Sequence, residues 1–191
     1  MSAKVIALSE ATESDEALLA ACVRREQAAL QKLFARHRDA VHRVLARVLG
    51  ASSPHLEDAL QLTFLTAWRR ADSYAGTATV RSWLFGIASN VALNCARSER
   101  RRLRFLDRFA VRFRAEPPRI DDVVAERELV ARVLDRLASL PADLRVAFVL
   151  CDLEGLSGVE AASVVGVRPG TMWSRLHHAR RRLRAALEAE R

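Results

Sequence analysis

Residues 157–184 read SGVEAASVVGVRPGTMWSRLHHARRRLR, and the fold is decided here. Ser157 and Glu160 have the spacing of a capping box, in which each side chain satisfies a backbone N–H that the first helical turn leaves unpaired. The short helix opened this way ends at Gly166. After Val167 and Arg168, Pro169 stands where a second helix can begin, since its missing N–H has no partner to lose there. A helix, a tight turn and a second, basic helix form the arrangement that places the second helix in the major groove, its early side chains on base edges and its cations on phosphates. Thr171, Trp173, Ser174, His177 and His178 occupy the early part, and Arg175, Arg180, Arg181 and Arg182 carry the charge. The alternative is an antiparallel helical hairpin with a solvated arginine face. The capping box, the glycine turn, the Pro-Gly-Thr start and the late arginines together favour DNA binding.

Upstream of this unit, Pro141 opens a helix containing Leu144, Phe148 and Cys151, and Val123, Val130, Val133, Leu134 and Leu137 recur with helical period. Leu30, Leu33, Phe34, Val41, Val44, Leu45 and Val48 predict a helix of about six turns that Gly50 ends with a left-handed cap. Ser53 and Pro54 read as the N-cap and first position of the next helix, whose stripe is Leu56, Ala59, Leu60, Phe64, Ala67 and Trp68. Asp72 to Thr79 breaks the pattern, and a further helix runs from about Val80 through Trp83, Leu84, Ile87, Ala88, Val91 and Cys95 into an arginine cluster. A short helix near Ala17 to Val23 precedes these. The segment after Leu106 alternates arginines with Phe109, Val111 and Phe113 and then meets Pro117 and Pro118, which exclude a continuing helix. No stretch alternates with a strand's period. The expectation is an all-α protein: an N-terminal tail (1–13), two small helical domains (14–105 and 123–191) and a linker (106–122).

The chain has 191 residues and a net charge of +8, carried largely by arginine, whose planar fork suits phosphate. The arginines crowd two stretches, 97–119 and 175–184, which suggests two contact surfaces for nucleic acid, although a charge run is more often a solvated helix face. No apolar run approaches the roughly 18–20 residues of a membrane span, and the start lacks a signal peptide's order, so a cytoplasmic protein without membrane insertion is expected. Cys22, Cys95 and Cys151 are too few and too scattered for a disulfide framework or a structural zinc site. His177 and His178 are adjacent and point about 100° apart on a helix, and His37, His42 and His55 have no acidic or cysteine partner at ligand spacing, so neither a metal nor another cofactor is expected. With no glycine-rich phosphate loop, nucleophile elbow or HExxH, nothing points to an enzyme or a small-molecule substrate.

The stretch from Leu137, LASLPADLRVAFVLCDLEGLSGVEAASVVGVRPGTMWSRLHHARRRLR, resembles domain 4 of the extracytoplasmic-function (ECF) RNA polymerase sigma factors. EDALQLTFLTAWRRADSYAGTATVRSWLFGIASNVALNCARSERRR resembles their domain 2, and the two motifs occur in family order and spacing. The resemblance implies a sigma factor that binds core RNA polymerase and directs promoter-specific initiation, domain 2 melting the −10 element and domain 4 reading the −35 element.

In the family an Asp-x-x-Gln pattern grips a coiled coil of the polymerase. Asp58 and Gln61 match it, and with Glu57 they lie off the Leu60, Phe64, Trp68 stripe; Leu62 stands where an acidic residue is common. The loop resembles the family's promoter-melting loop, which implies that Tyr74, Gly76, Thr77, Thr79, Arg81, Trp83 and Asn90 capture an extruded base and track the strand. Trp83 also lies on the apolar stripe, where core is the ordinary reading. In domain 4, Trp173 and His178 occupy positions that often carry arginine, so guanine-directed bidentate contacts are absent and an uncommon promoter is implied. Family members usually work under an anti-sigma factor. The apolar residues of the linker suit such a partner, and a polymerase channel could equally bury them. The competing reading is an ordinary helix-turn-helix regulator that binds duplex DNA alone, residues 1–105 serving for dimerisation or sensing.

Overall fold

The computed structural model describes residues 13–109 and 136–189, and the tail up to residue 12, most of the linker (Val111, Phe113, Pro117 and Pro118 included) and Val123 to Leu134 lie outside them. Among the described residues there is no strand. Ser14 caps α1 (Asp15–Val23) by accepting from the Ala17 N–H at 3.1 Å. Helix α2 (Gln27–Leu49) turns Leu33, Val41, Val44, Leu45 and Val48 inward, one stripe at the 3.6-residue period. Gly50 ends it with φ +101° and ψ 140°, a positive φ outside the left-handed helical cap that the sequence suggested.

Helix α3 (Leu56–Arg69) starts later than Ser53 and Pro54 imply. Those two residues form a turn instead: the Leu56 N–H reaches the Ser53 carbonyl at 3.2 Å, and His55 takes the cap position with no side-chain bond. A 3-10 turn (Ala71–Ser73) and a loop lead into α4 (Val80–Phe109). Thr79 begins α4 by accepting from the Ser82 N–H at 3.1 Å, and the helix continues four residues into the segment read as linker.

In the C-terminal part, residues 136–139 are helical, and α5 (Ala142–Phe148) runs into a π turn (Val149–Leu153). Next come α6 (Gly158–Val165) and α7 (Pro169–Glu188). The capping box forms as read: the Glu160 N–H meets Ser157 Oγ at 3.2 Å and the Ser157 N–H meets Glu160 Oε2 at 3.0 Å. Hydrogen bonds from Ser157 hold the Glu160 carboxyl below its ordinary pKa. Gly166 takes the left-handed cap (φ 78°, ψ 39°).

Leu18, Leu33, Leu45, Leu60 and Leu84 are fully buried among the first helices, and Leu137, Leu150, Met172 and Leu176 among the last. Each buried leucine contributes about 2 kcal/mol. Phe64 is core as expected, whereas Trp68, also expected in the core, is only half-buried at its edge. Burial raises the thiol pKa of Cys22, Cys95 and Cys151, which marks them as poorly reactive.

The two helical units pack against each other, a relationship no periodicity predicts. Gly86 of α4 lies so close to α6 that a Cβ there would come within 2.2 Å of the Val164 carbonyl oxygen. The Arg145 guanidinium donates to the carbonyls of Val48, Ala138 and Leu140, tying α5 to the end of α2. Burial lowers its pKa from the ordinary arginine value. Glu154, its side chain only 4% exposed, receives Arg47 at 2.5 Å and Arg81 at 3.0 Å.

Candidate nucleic-acid interface

Three surfaces carry the residues read from the sequence. On α3, Asp58, Gln61, Leu62 and Leu65 recur at three- and four-residue intervals and are all exposed, while Leu56, Ala59, Leu60, Thr63 and Phe64 face the core. Leu62 and Leu65 are 45% and 47% exposed, an apolar ridge beside two polar side chains and the mixture that partner-covered surfaces carry. Leu65 was not singled out in the sequence, although its interval from Asp58 gives it away. Glu57 is on the neighbouring flank, 3.9 Å from His42 Nε2.

The second surface is a cleft of about 1010 Å³ between the loop, α3 and α4, closed on one side by Ser163, Val164 and Gly166 at the end of α6. Tyr74 anchors the loop by donating its hydroxyl to the Ala78 carbonyl at 2.6 Å, and its ring meets Trp83 edge-on at 5.7 Å between centroids. Burial raises the Tyr74 pKa, so the hydroxyl remains a donor. Gly76, at φ +70°, allows the turn between these anchors, and Thr77 lines the cleft. Trp83 is half-buried, packing on the core while also contributing to the cleft wall. Asn90 is also in the wall, with Nδ2 3.5 Å from the Val165 carbonyl of α6.

Below Asn90, the side chains of Asn94, Ser98 and Arg102 continue the lining at four-residue intervals down one face of α4, and Arg70 contributes from the loop side. That stripe went unremarked in the sequence, though its spacing displays it. Thr79 is turned to the helix start, and Arg81 lies outside the cleft: it covers the Phe85 ring at 5.1 Å and pairs with Glu154. The structure therefore brings Tyr74, Thr77, Trp83 and Asn90 together and sets Arg81 apart.

The third surface is α7. Met172, Leu176, Ala179 and Leu183 are buried, which leaves Thr171, Ser174, His177, His178 and Arg181 on the outer side. The rings of His177 and His178 stand edge-on at 5.7 Å, splayed as adjacent helical residues must be. Two of the expected phosphate ligands have partners within the protein. Arg180 makes a two-pronged bond to Asp152 at 2.9 and 2.5 Å, which raises its pKa, and Arg175 Nε is 3.5 Å from Asp143. The sequence did not mark Asp143 or Asp152, because their partners lie 28 or more residues downstream. Among the described residues, no group of three or more His, Cys, Asp or Glu side chains could hold a metal, and no helix is long and apolar enough to cross a membrane.

Among the described residues, then, the protein is all-helical, with a capped helix-turn-helix at one end and a loop-and-helix cleft at the other. The Sigma-70 region 2 model matches residues 33–102, and the Sigma-70, region 4 model matches residues 131–183. The ECF RNA polymerase sigma factor SigM of Mycobacterium tuberculosis is 38% identical over 177 residues, which is 89% of this chain and 83% of that protein. The sigma factor SigE of Mycolicibacterium smegmatis is 36% identical over 163 residues, 83% of this chain, and the chain spans 63% of that protein's length. Among solved structures, CnrH in complex with the cytosolic domain of CnrY superposes with a TM-score of 0.62 at 30% identity over 93% of this chain and 99% of that one. The sigma factor RpoE of Bartonella quintana, in complex with the anti-sigma factor NepR, gives 0.62 at 25% identity over 84% and 98%. The chain belongs to the ECF RNA polymerase sigma factors, the family that directs promoter-specific transcription initiation.

Proposed function

We propose that residues 14–105 dock on core RNA polymerase through the Asp58, Gln61, Leu62 and Leu65 face of α3 and melt the −10 element at the cleft, while residues 123–191 read the −35 element with α7. The observation that carries this is the cleft. An aromatic pair, Tyr74 and Trp83, lines it, Tyr74 held by its bond to the Ala78 carbonyl, and an amide and arginine stripe continues down α4. Stacking surface beside hydrogen-bonding and cationic groups suits an extruded base and the strand attached to it. On α7, Ser174, His177, His178 and Arg181 supply the groove-facing set, with Thr171 and Trp173 at its start.

Engagement of DNA at both ends requires the domains to part, because Asn90 and Arg81 of the first are bound by Val165 and Glu154 of the second. An anti-sigma factor is the further partner we infer, supported by the similar sigma factor RpoE, whose structure is a complex with the anti-sigma factor NepR. The protein works in the cytoplasm, without catalysis or a cofactor of its own. Run-off transcription with purified core polymerase on fragments of the source genome tests the reading. New starts that share two upstream elements are expected; duplex binding without polymerase, and no new starts, would establish the stand-alone regulator instead.

A further inference from the structure

We propose that Trp173 determines the specificity of the upstream DNA contact: its indole recognises a pyrimidine 5-methyl group in the major groove, and Gly158 is the residue that positions the ring. The inference rests on the reading of α7 as the helix that enters the groove and goes beyond it by naming what one side chain reads.

Trp173 lies in the second turn of α7, on the flank between the buried Met172, Leu176, Ala179 stripe and the outer Ser174 and His177. On that flank its ring is laid against the first residue of α6. A Cβ on Gly158 would stand 2.6 Å from Cζ2, 2.8 Å from Cε2 and 2.9 Å from Cη2 of the indole, so the absence of a side chain at 158 is what lets the ring lie there. Held in this way, the residue is still 51% exposed, and Val159, which follows Gly158 in the chain, is 59% exposed. A large aromatic side chain that is fixed in place yet half in water is a surface prepared for a partner.

Its chemistry limits what it can read. An indole has one donor and no acceptor, so it cannot make the paired contact by which arginine selects guanine. The nearby arginines of the same helix, Arg175 and Arg180, are held by Asp143 and Asp152 and do not supply that contact in its place. The apolar feature of the major groove is the C5-methyl of thymine, which projects from the groove wall, where a residue on the flank of an inserted helix meets it. The same methyl is present on 5-methylcytosine, so the recognised group is the methyl and its source is either base.

The test uses full-length protein with core polymerase on a promoter library randomised over the upstream element. Each thymine of the selected element is then replaced by deoxyuridine, and each cytosine by 5-methyldeoxycytidine. One position is expected at which loss of the methyl lowers open-complex formation about four-fold, the effect of one buried methyl group. If the source is cytosine, gain of the methyl raises it by a similar factor. In Trp173→Ala the same position becomes indifferent to the methyl. Gly158→Ala, which displaces the ring, behaves likewise while circular dichroism shows its helices intact. Starts from the library with no methyl-sensitive position, or sensitivity that persists in Trp173→Ala, would overturn the proposal alone. A library that yields no new starts would overturn the reading of α7 and this inference with it.

Discussion

Arg81 Nη2 and Glu154 Oε2 lie 3.0 Å apart across the boundary between the two helical units, 73 residues apart in the chain. The same carboxylate takes Arg47 at 2.5 Å. With the glutamate almost wholly buried and the arginines partly exposed, it is the ionic centre of the interdomain contact. Glu154→Gln leaves two cations facing a neutral amide, and we expect it to cost about 2 kcal/mol of docking. Hydrogen exchange at α6 and the radius of gyration from small-angle scattering should both rise. Values equal to wild type would show that the apolar contact alone holds the domains.

Gly86→Ala tests that apolar contact. The added Cβ would come within 2.2 Å of the Val164 carbonyl oxygen, a backbone atom that cannot rotate away. The domains should separate as in Glu154→Gln while the helical signal in circular dichroism is retained. If separation limits engagement of DNA, both variants should form holoenzyme open complexes faster than wild type.

The α6 capping box makes a pH-dependent contribution. Glu160 has a lowered pKa because Ser157 donates hydrogen bonds to its ionised form. Its stabilisation is therefore fully present above the unfolded value of 4.5 and is lost as pH falls through the lower folded value. Ser157→Ala should cost about 1 kcal/mol near neutrality. Thermal unfolding followed from pH 7 to pH 3 should fall less steeply in the variant than in wild type; parallel profiles would mean that the cap does not contribute.

Cations on α7 should separate into two kinds. Arg181 and Arg182 are exposed, and replacing either with alanine should reduce the salt dependence of promoter binding by about 0.9 in log–log slope. Arg180 is engaged with Asp152, so Arg180→Ala should lower the melting temperature with a smaller change in slope. Filter binding of holoenzyme between 50 and 200 mM salt measures the difference. An equal slope change for Arg180 would mean that it releases Asp152 to take a phosphate.

On α3, Leu65→Asp and Gln61→Ala alter exposed positions and should leave the melting temperature within about 0.5 kcal/mol of stability. Leu65→Asp should weaken core polymerase binding at least ten-fold, as a charge placed in an interface core does. Fluorescence titration with purified core reads this directly, and unchanged affinity would place the interface elsewhere.

What the sequence alone determined about this protein is local. The capping box at Ser157 and Glu160, the Gly166 stop, the Pro169 start and the apolar stripes of α2, α3 and α4 all depend on residues within a few positions of one another, where covalent geometry and hydrogen-bond spacing leave few choices. The same short-range signals place Asp58 with Gln61 on one face. Even locally, the Ser53 and Pro54 signal was misleading, because a serine before a proline suits a turn as well as a helix start, and here the turn formed.

Only the tertiary structure decided which charges are committed. Arg81, Arg145, Arg175 and Arg180 look in the chain like four more members of a basic population; folding gives them Glu154, three backbone carbonyls, Asp143 and Asp152 as partners. It also decided that Gly86 meets Val164 and that Gly158 supports Trp173. Packing between distant elements depends on the shape of both surfaces at once, and a missing side chain records nothing about what will fill its space.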